Sequence, residues 1–98
     1  MTTLYHNHCQ RTKVADLLGQ LEDNGQFFTV EFYKADGTYR IMNARFLKEH
    51  TRARYINDGE HHTCLTVMDL IKKEFRQIPL DRVVRIKANN KIYTVVDA

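Results

Sequence analysis

The chain has 98 residues, of which 43% are hydrophobic and 28% are charged, and its formal net charge is +3. This length allows one domain with a modest core, and the composition is ordinary for a soluble globular protein. No apolar run reaches the roughly 18 residues that a membrane span needs, and the first residues lack the basic start and apolar stretch of a secretory signal. We therefore expect a cytoplasmic protein without a membrane partner.

The charges are distributed unevenly along the chain. Residues 1–37 carry three Lys and Arg against five Asp and Glu, whereas residues 38–98 carry twelve against seven. A basic surface on the C-terminal part favours anionic partners such as nucleic acid, nucleotides or acidic proteins. Two cysteines, Cys9 and Cys64, are too few for a disulfide framework and are expected to be free thiols.

An amphipathic helix is predicted between Thr12 and Gly25, because apolar residues recur at the spacing i, i+3, i+4 and i+7. These residues are Val14, Leu17, Leu18 and Leu21. Thr12 is the expected cap, and Asn24-Gly25 can end the helix in the left-handed conformation. We expect the stripe to pack on the rest of the domain, although it could also dock on a partner or a second copy.

Two strands follow the helix. Residues 26–34 alternate between apolar and polar positions, and Asp36-Gly37 predicts a hairpin turn into a strand over residues 38–46. The second strand alternates imperfectly, because apolar residues occur on both of its faces. Tyr39 and Ile41 share one face, and Met42, Ala44 and Phe46 share the other. A bulge near Met42-Asn43 would reconcile the two sets.

Residues 47–62 predict a long excursion without regular structure, a kind of segment that is often functional. Four short strands are then predicted over residues 63–69, 74–78, 83–88 and 91–96, with a turn at Leu70–Lys73, a tight turn at Leu80–Arg82 and a hairpin turn at Asn89-Asn90. The residues expected in the core of the sheet are Phe28, Val30, Phe32, Ile41, Leu65, Val67, Ile78, Val84 and Ile86.

These elements indicate a mainly β fold of the α+β kind. Residues 1–25 are expected to form an N-terminal arm and helix that packs on the remainder. Residues 26–98 are expected to form a small antiparallel SH3-like or Sm-like β-barrel that carries the excursion.

Three segments resemble a known family: residues 34–45 (KADGTYRIMNAR), residues 65–70 (LTVMDL) and residues 75–88 (FRQIPLDRVVRIKA). In this order they are similar to the WYL-like small-barrel family of tailed phages, over about residues 26–96. The resemblance implies an Sm-like SH3 β-barrel in a phage protein that acts in the host cytoplasm. Because related WYL domains are associated with nucleic acids or nucleotide-like ligands, it also implies that kind of partner. The N-terminal helix and the histidine-containing excursion depart from the family pattern.

Basic residues are the candidate binding site for nucleic acid or another anion, because guanidinium and ammonium groups engage phosphates. They are Arg40, Arg45, Lys48, Arg52, Arg54, Lys72, Lys73 and Arg76. Tyr33, Tyr39 or Tyr55 could stack on bases. The alternative is an ordinary solvated exterior with surface ion pairs. Arg82, beside Asp81, is interpreted as a residue that pins its turn.

Metal binding and catalysis have weaker support. Six possible ligands form two clusters, which are His6, His8 and Cys9 near the N-terminus and His61, His62 and Cys64 before the third strand. Their spacing matches no standard zinc finger, so we predict no metal and no cofactor. No nucleophile motif and no paired carboxylates are visible, so we expect no enzyme activity.

The sequence therefore predicts a non-enzymatic phage-type protein that binds nucleic acid or a nucleotide-like anion through a basic barrel face. The alternative is a protein-interaction module, such as an inhibitor of a host protein or a homo-oligomeric accessory protein. The two classes differ in salt dependence, because phosphate contacts release counterions and an apolar protein interface does not.

Overall fold

The structure, a computed structural model, describes residues 5–47, 56–57 and 63–97. Within these residues the fold is mainly β, with eight strands in one sheet and one α-helix. The helix is α1 (Val14–Asn24), and the strands are β1 (Tyr5–Gln10), β2 (Phe28–Tyr33), β3 (Tyr39–Arg45), β4 (Ile56–Asn57), β5 (Thr63–Asp69), β6 (Glu74–Pro79), β7 (Val83–Ala88) and β8 (Lys91–Val96). Arg11–Lys13 and Leu80–Arg82 form short 3₁₀ turns.

The strand order in the sheet is β1-β8-β7-β2-β3-β5-β4, and β6 pairs with β5. The six predicted strands correspond to β2, β3 and β5 to β8, with ends that differ by no more than two residues. Two strands are missing from the prediction. One is β4, which lies inside the predicted excursion and pairs with the start of β5.

The other is β1, which lies in the predicted N-terminal arm. The six predicted strands pair with one another antiparallel, as expected, and β1 adds a parallel pairing at one edge of the sheet. It runs parallel to β8, with Tyr5 opposite Lys91 and Gln10 opposite Val96. Its sequence is polar, and Cys9 is the buried residue of the strand. A strand with one buried residue has no apolar alternation, and a partner so far along the chain leaves no local signal.

Helix α1 packs in the same core as the sheet. Val14, Leu18 and Leu21 are buried there, and Leu17 packs against them while half-buried. Gly25 ends the helix in the left-handed conformation, at φ +64°, as the sequence predicts. The expectation of a Thr12 cap is wrong, because the 3₁₀ turn leads into the helix and Lys13 occupies the capping position without a side-chain hydrogen bond.

The core draws on both halves of the chain. Besides Cys9 and the residues of α1, its buried members are Phe28, Val30, Phe32, Met42, Ala44, Phe46, Leu65, Val67, Ile78, Val83, Ile86 and Ala88. One core therefore takes side chains from β1 to β3, from β5 to β7 and from α1. Within the described residues, no helix is long and apolar enough to cross a bilayer.

Two predicted core residues are wrong, and the register explains both. The pairing of β2 with β3 runs from Phe28↔Ala44 to Tyr33↔Tyr39 without a shift, so the bulge predicted near Met42-Asn43 is wrong as well. Because Val30 pairs with Met42, these two side chains lie on the same face of the sheet, which is the buried one. Ile41 lies on the other face and is 63% exposed.

The irregularity lies instead between β2 and β7. Glu31 pairs with Arg85, but Phe32 pairs with Val83, so Val84 is passed over. A bulge of this kind changes which face the following residues occupy. Val83 and Ile86 are therefore both buried, and Val84 is only half-buried.

Arg11 ties three distant parts of the chain together. Its Nε donates to Asp97 Oδ1 at 2.7 Å, and its Nη1 donates to the carbonyl oxygens of Leu80 and Val83. The Arg11 guanidinium lowers the pKa of the Asp97 carboxyl, mainly through this hydrogen bond. Arg11 therefore links the end of β1, the 3₁₀ turn before β7 and the end of β8.

Candidate functional site

A groove of about 440 Å³ lies on the surface between the start of β2 and the turn that joins β7 to β8. We call it the hairpin groove. It is lined by Phe27, Phe28, Thr29, Asn43, Leu70, Lys87, Ala88, Asn89, Asn90 and Lys91. None of the described residues that line it carries a carboxylate, whereas two are lysines, so the groove is electropositive.

Strand register places the polar side of the groove. Thr29 is the partner of Lys87 on β7 and of Asn43 on β3, so these three residues form one row across the outer face of the sheet. Thr29 Oγ1 donates to Asn43 Oδ1 at 2.7 Å, which fixes the two side chains relative to each other. Lys87 is exposed beside them and can reach a bound anion.

The turn between β7 and β8 forms one wall of the groove. Asn89 and Asn90 both have positive φ, at 54° and 62°, which is the conformation that a two-residue hairpin turn requires. Lys91 follows them and is exposed. The turn thus places two amide side chains next to an ammonium group, and amides can both donate and accept hydrogen bonds.

Phe27 supplies an aromatic surface to the groove lining. The residue is 65% exposed, and the guanidinium carbon of Arg45 lies 5.4 Å from the centroid of its ring. This distance is within the range of a cation–π contact. A single exposed phenylalanine is ordinary, but one that contacts Arg45 and lines a groove with two lysines gives that groove a stacking surface as well as charge.

The predicted basic site residues do not form one cluster among the described residues. Arg45 contacts Phe27 at the groove. Lys72 and Lys73 are exposed in the turn that begins with Leu70, a residue of the groove wall. Three further predicted residues, Lys48, Arg52 and Arg54, lie outside the described residues, as does Tyr55.

Arg40 and Arg76 converge on a buried carboxylate that the sequence analysis did not single out. Arg40 Nη2 and Arg76 Nε lie 3.7 and 3.4 Å from Asp69 Oδ2, and Arg76 Nη2 lies 3.4 Å from Glu74 Oε2. Asp69 is 4% exposed, and its Oδ1 accepts the backbone N–H groups of Ile71 and Lys72.

We call these residues the Asp69 network. Because carboxylates already engage the guanidinium groups of Arg40 and Arg76, the network fits the alternative of structural ion pairs better than an open site for an anion. The sequence contains one sign of it. Asp69 stands at the third inward position of β5, after Leu65 and Val67, where a charged residue needs a partner.

Sequence reasoning also missed most of the hairpin groove. Lys87 lies on the outward face of β7, next to the inward Ile86, so its exposure could be read from the alternation. The approach of Phe27 to residues about 60 positions later depends on the pairing of β2 with β7, which no local pattern shows.

A second surface lies further along the same face of the sheet. We call it the tyrosine patch, and it consists of Tyr33, Tyr39 and Ile41, which are 47%, 42% and 63% exposed. The two tyrosine rings pack edge to face with centroids 5.0 Å apart, so each ring already contacts the other and neither is placed as an open stacking surface.

A buried carboxylate supports this patch. The hydroxyl of Tyr39 donates to Glu31 Oε1 at 2.6 Å, and Arg85 Nη1 lies 3.8 Å from Glu31 Oε2. Partial burial, together with the hydrogen bond to Glu31, raises the pKa of Tyr39 to about 12. Arg82, expected to pin its own turn, donates from Nε to the carbonyl oxygen of Tyr33 at 3.1 Å and so ties that turn to β2.

The possible metal ligands are dispersed where they are described. His6 and His8 are exposed on β1, whereas Cys9 is buried in the core, where burial raises the pKa of its thiol. Cys64 is half-buried, and His61 and His62 lie outside the described residues. In the part of the chain that the structure describes, no three His, Cys, Asp or Glu side chains form a group that could hold a metal ion.

Comparison of the chain with protein-family models, with curated proteins and with solved structures finds no match.

Proposed function

We propose that this protein is a small non-enzymatic binding protein that takes a nucleic acid or a nucleotide-like anion in the hairpin groove. The observation that carries the proposal is the composition of that groove. Lys87 and Lys91 line the same groove as the exposed Phe27, and the described lining contains no carboxylate. Cationic groups for phosphate next to an aromatic surface for a base are the combination that single-strand binding sites use.

The surroundings of the groove add to its positive potential. Arg45 stacks on Phe27, and the turn that begins at Leu70 carries the exposed Lys72 and Lys73. Arg40 and Arg76 are engaged by the buried carboxylate of Asp69 and are not needed for this proposal.

We also propose a specific fold, a small β-barrel, and a phage origin, both of which go beyond the strand topology. One core shared by the strands and the 3₁₀ turn Leu80–Arg82 before the last hairpin support an SH3-like or Sm-like barrel. The resemblance of residues 34–45, 65–70 and 75–88 to the WYL-like small-barrel family supports a phage-type protein of the host cytoplasm.

The test is a titration of fluorescently labelled DNA and RNA oligonucleotides, single- and double-stranded, at several salt concentrations. Affinity should fall steeply as salt rises, and each phosphate contact removed should lower the logarithmic salt slope by about one unit. We therefore expect Lys87→Ala with Lys91→Ala to reduce the slope by about two units. Lys34→Ala, beyond the other end of β2, removes one exposed charge away from the groove and should leave the slope unchanged.

A protein-interaction module is the second candidate, and the tyrosine patch favours it. Tyr33, Tyr39 and Ile41 expose adjacent aromatic and aliphatic surface, a composition common at protein interfaces. If no oligonucleotide binds at about 50 mM salt, where phosphate contacts are strong, the first proposal is wrong. Affinity capture from host lysate with and without nuclease, comparing the wild type with Ile41→Ser, would then test the patch.

A further inference from the structure

The two faces of the Phe27 ring have different surroundings. The Arg45 guanidinium lies over the ring at 5.4 Å from the centroid, and the residue as a whole remains 65% exposed in the wall of the groove. A planar cation on one side restrains the ring while the rest of it faces solvent. Ordering of this kind lowers the entropy lost when a second flat group stacks on the ring.

The other residues that line the groove match the parts of one nucleotide. Lys87 and Lys91 supply ammonium groups for phosphate, and Asn89 and Asn90 supply amides that can hydrogen-bond the edge of a base. The groove volume, about 440 Å³, is within the range of about 300–1,000 Å³ that small-ligand sites occupy.

We propose that the hairpin groove selects single-stranded nucleic acid by stacking one unpaired base on Phe27, with its flanking phosphates on Lys87 and Lys91. This inference rests on the proposed function and narrows it. In a duplex, both faces of a base are already stacked on neighbouring bases, so a duplex can offer the lysines its phosphates but cannot offer Phe27 a free face. A strand without bases has the phosphates and lacks the stacking group.

The experiment compares three labelled probes of equal length by fluorescence anisotropy at about 50 mM salt. They are a single-stranded oligonucleotide, the corresponding duplex, and an abasic strand that keeps every phosphate and lacks every base. The wild type should bind the single strand about tenfold or more tightly than the abasic strand, which is the order expected for loss of one stacked base. Phe27→Ala should weaken binding of the single strand by a similar factor and leave binding of the abasic strand unchanged.

Two further variants make the result specific to the ring. Phe27→Leu keeps an apolar side chain without an aromatic face and should behave like Phe27→Ala, whereas Phe27→Trp should restore the preference for the single strand. Phe75→Ala removes an exposed aromatic of β6 that does not line the groove and should have no effect. Because Phe27 is mostly exposed, these variants should fold, and circular dichroism checks that they do.

The outcomes separate this inference from the proposed function. If all three probes bind equally and Phe27→Ala changes nothing, while Lys87→Ala with Lys91→Ala abolishes binding, the groove binds phosphate and the stacking inference is wrong. If the duplex binds more tightly than the single strand, the inference is also wrong. If no probe binds, both proposals fail together.

Discussion

Asp69 brings together several polar contacts of the described sheet. It combines one buried carboxylate, two guanidinium groups and two backbone N–H donors of the following turn. A buried carboxylate is tolerated only when it has partners of this kind. The two arginines that the sequence suggests for binding therefore have a structural role that their residue type alone could not reveal.

Replacing Asp69 with Asn should destabilise the protein. The amide can still accept the turn N–H groups, but Arg40 and Arg76 lose their counter-charge. We expect a cost of about 2 kcal/mol, below the roughly 3–5 kcal/mol of a fully buried pair, because the arginine side chains remain 22% and 30% exposed. Urea denaturation measures it. Glu74→Gln is the matched control, since Glu74 is 60% exposed and should cost less than about 0.5 kcal/mol.

Tyr39 should titrate unusually late. Its folded-state pKa is about 12, raised from 10.0 by partial burial and by Glu31. A raised pKa means that the stabilisation from the neutral hydroxyl is complete below about pH 10 and is lost as the pH rises towards 12. The stability difference between wild type and Tyr39→Phe should shrink across that window. Ultraviolet titration of tyrosinate gives an independent check. Loss of a step near pH 10 in Tyr39→Phe would contradict the hydrogen bond to Glu31.

Among the elements, α1 gives the clearest relation between pattern and packing. Its apolar spacing identifies the buried residues, and its left-handed end is visible in the Asn24-Gly25 pair. The pattern does not show at which residue α1 begins, because the preceding 3₁₀ turn has no apolar period.

Truncation of the helix stripe should follow burial. Leu21→Ala should cost about 2–5 kcal/mol, because Leu21 is 2% exposed and its removal leaves a cavity. Leu17→Ala is the same chemical change at a half-buried position and should cost about 1 kcal/mol. Thermal or urea unfolding compares the two. Equal costs, or loss of self-association without loss of stability, would indicate that the stripe packs between molecules.

The strands show where local patterns suffice and where they do not. The order of turns and strands from Thr63 to Val96 follows from alternation, Pro79 and the Asn89-Asn90 pair, since each is a local signal. The face of β3 is ambiguous in the sequence because Ile41 and Met42 are both apolar, and only pairing with β2 decides between them. The hairpin groove was missed for the same reason, since separate strands bring its walls together.

The whole molecule depends on contacts between the two ends of the described chain. Strand β8 pairs with both β1 and β7, and Asp97 just beyond it binds Arg11. A fold that depends on such distant pairings is expected to form in milliseconds to seconds rather than microseconds.

Two truncations should therefore have unequal effects. A chain of residues 1–90 loses the partner of two strands and the carboxylate that binds Arg11, and we expect it to remain unfolded. A chain of residues 11–98 loses β1, which buries one side chain in the core, and should keep the fold with lower stability. Circular dichroism and thermal melts distinguish them. A cooperative melt for residues 1–90 would show that β8 is dispensable.

The parallel pairing of β1 with β8 also has a consequence for synthesis on the ribosome. Tyr5 is made 86 positions before its partner Lys91, so at roughly 5–20 residues per second β1 waits about 4–17 s for the strand that completes its hydrogen bonds. An unpaired strand is a template for aggregation during such an interval. The polar, histidine-containing sequence that gives β1 so little strand signal is then an advantage, because it makes the nascent segment a poor partner for other nascent chains.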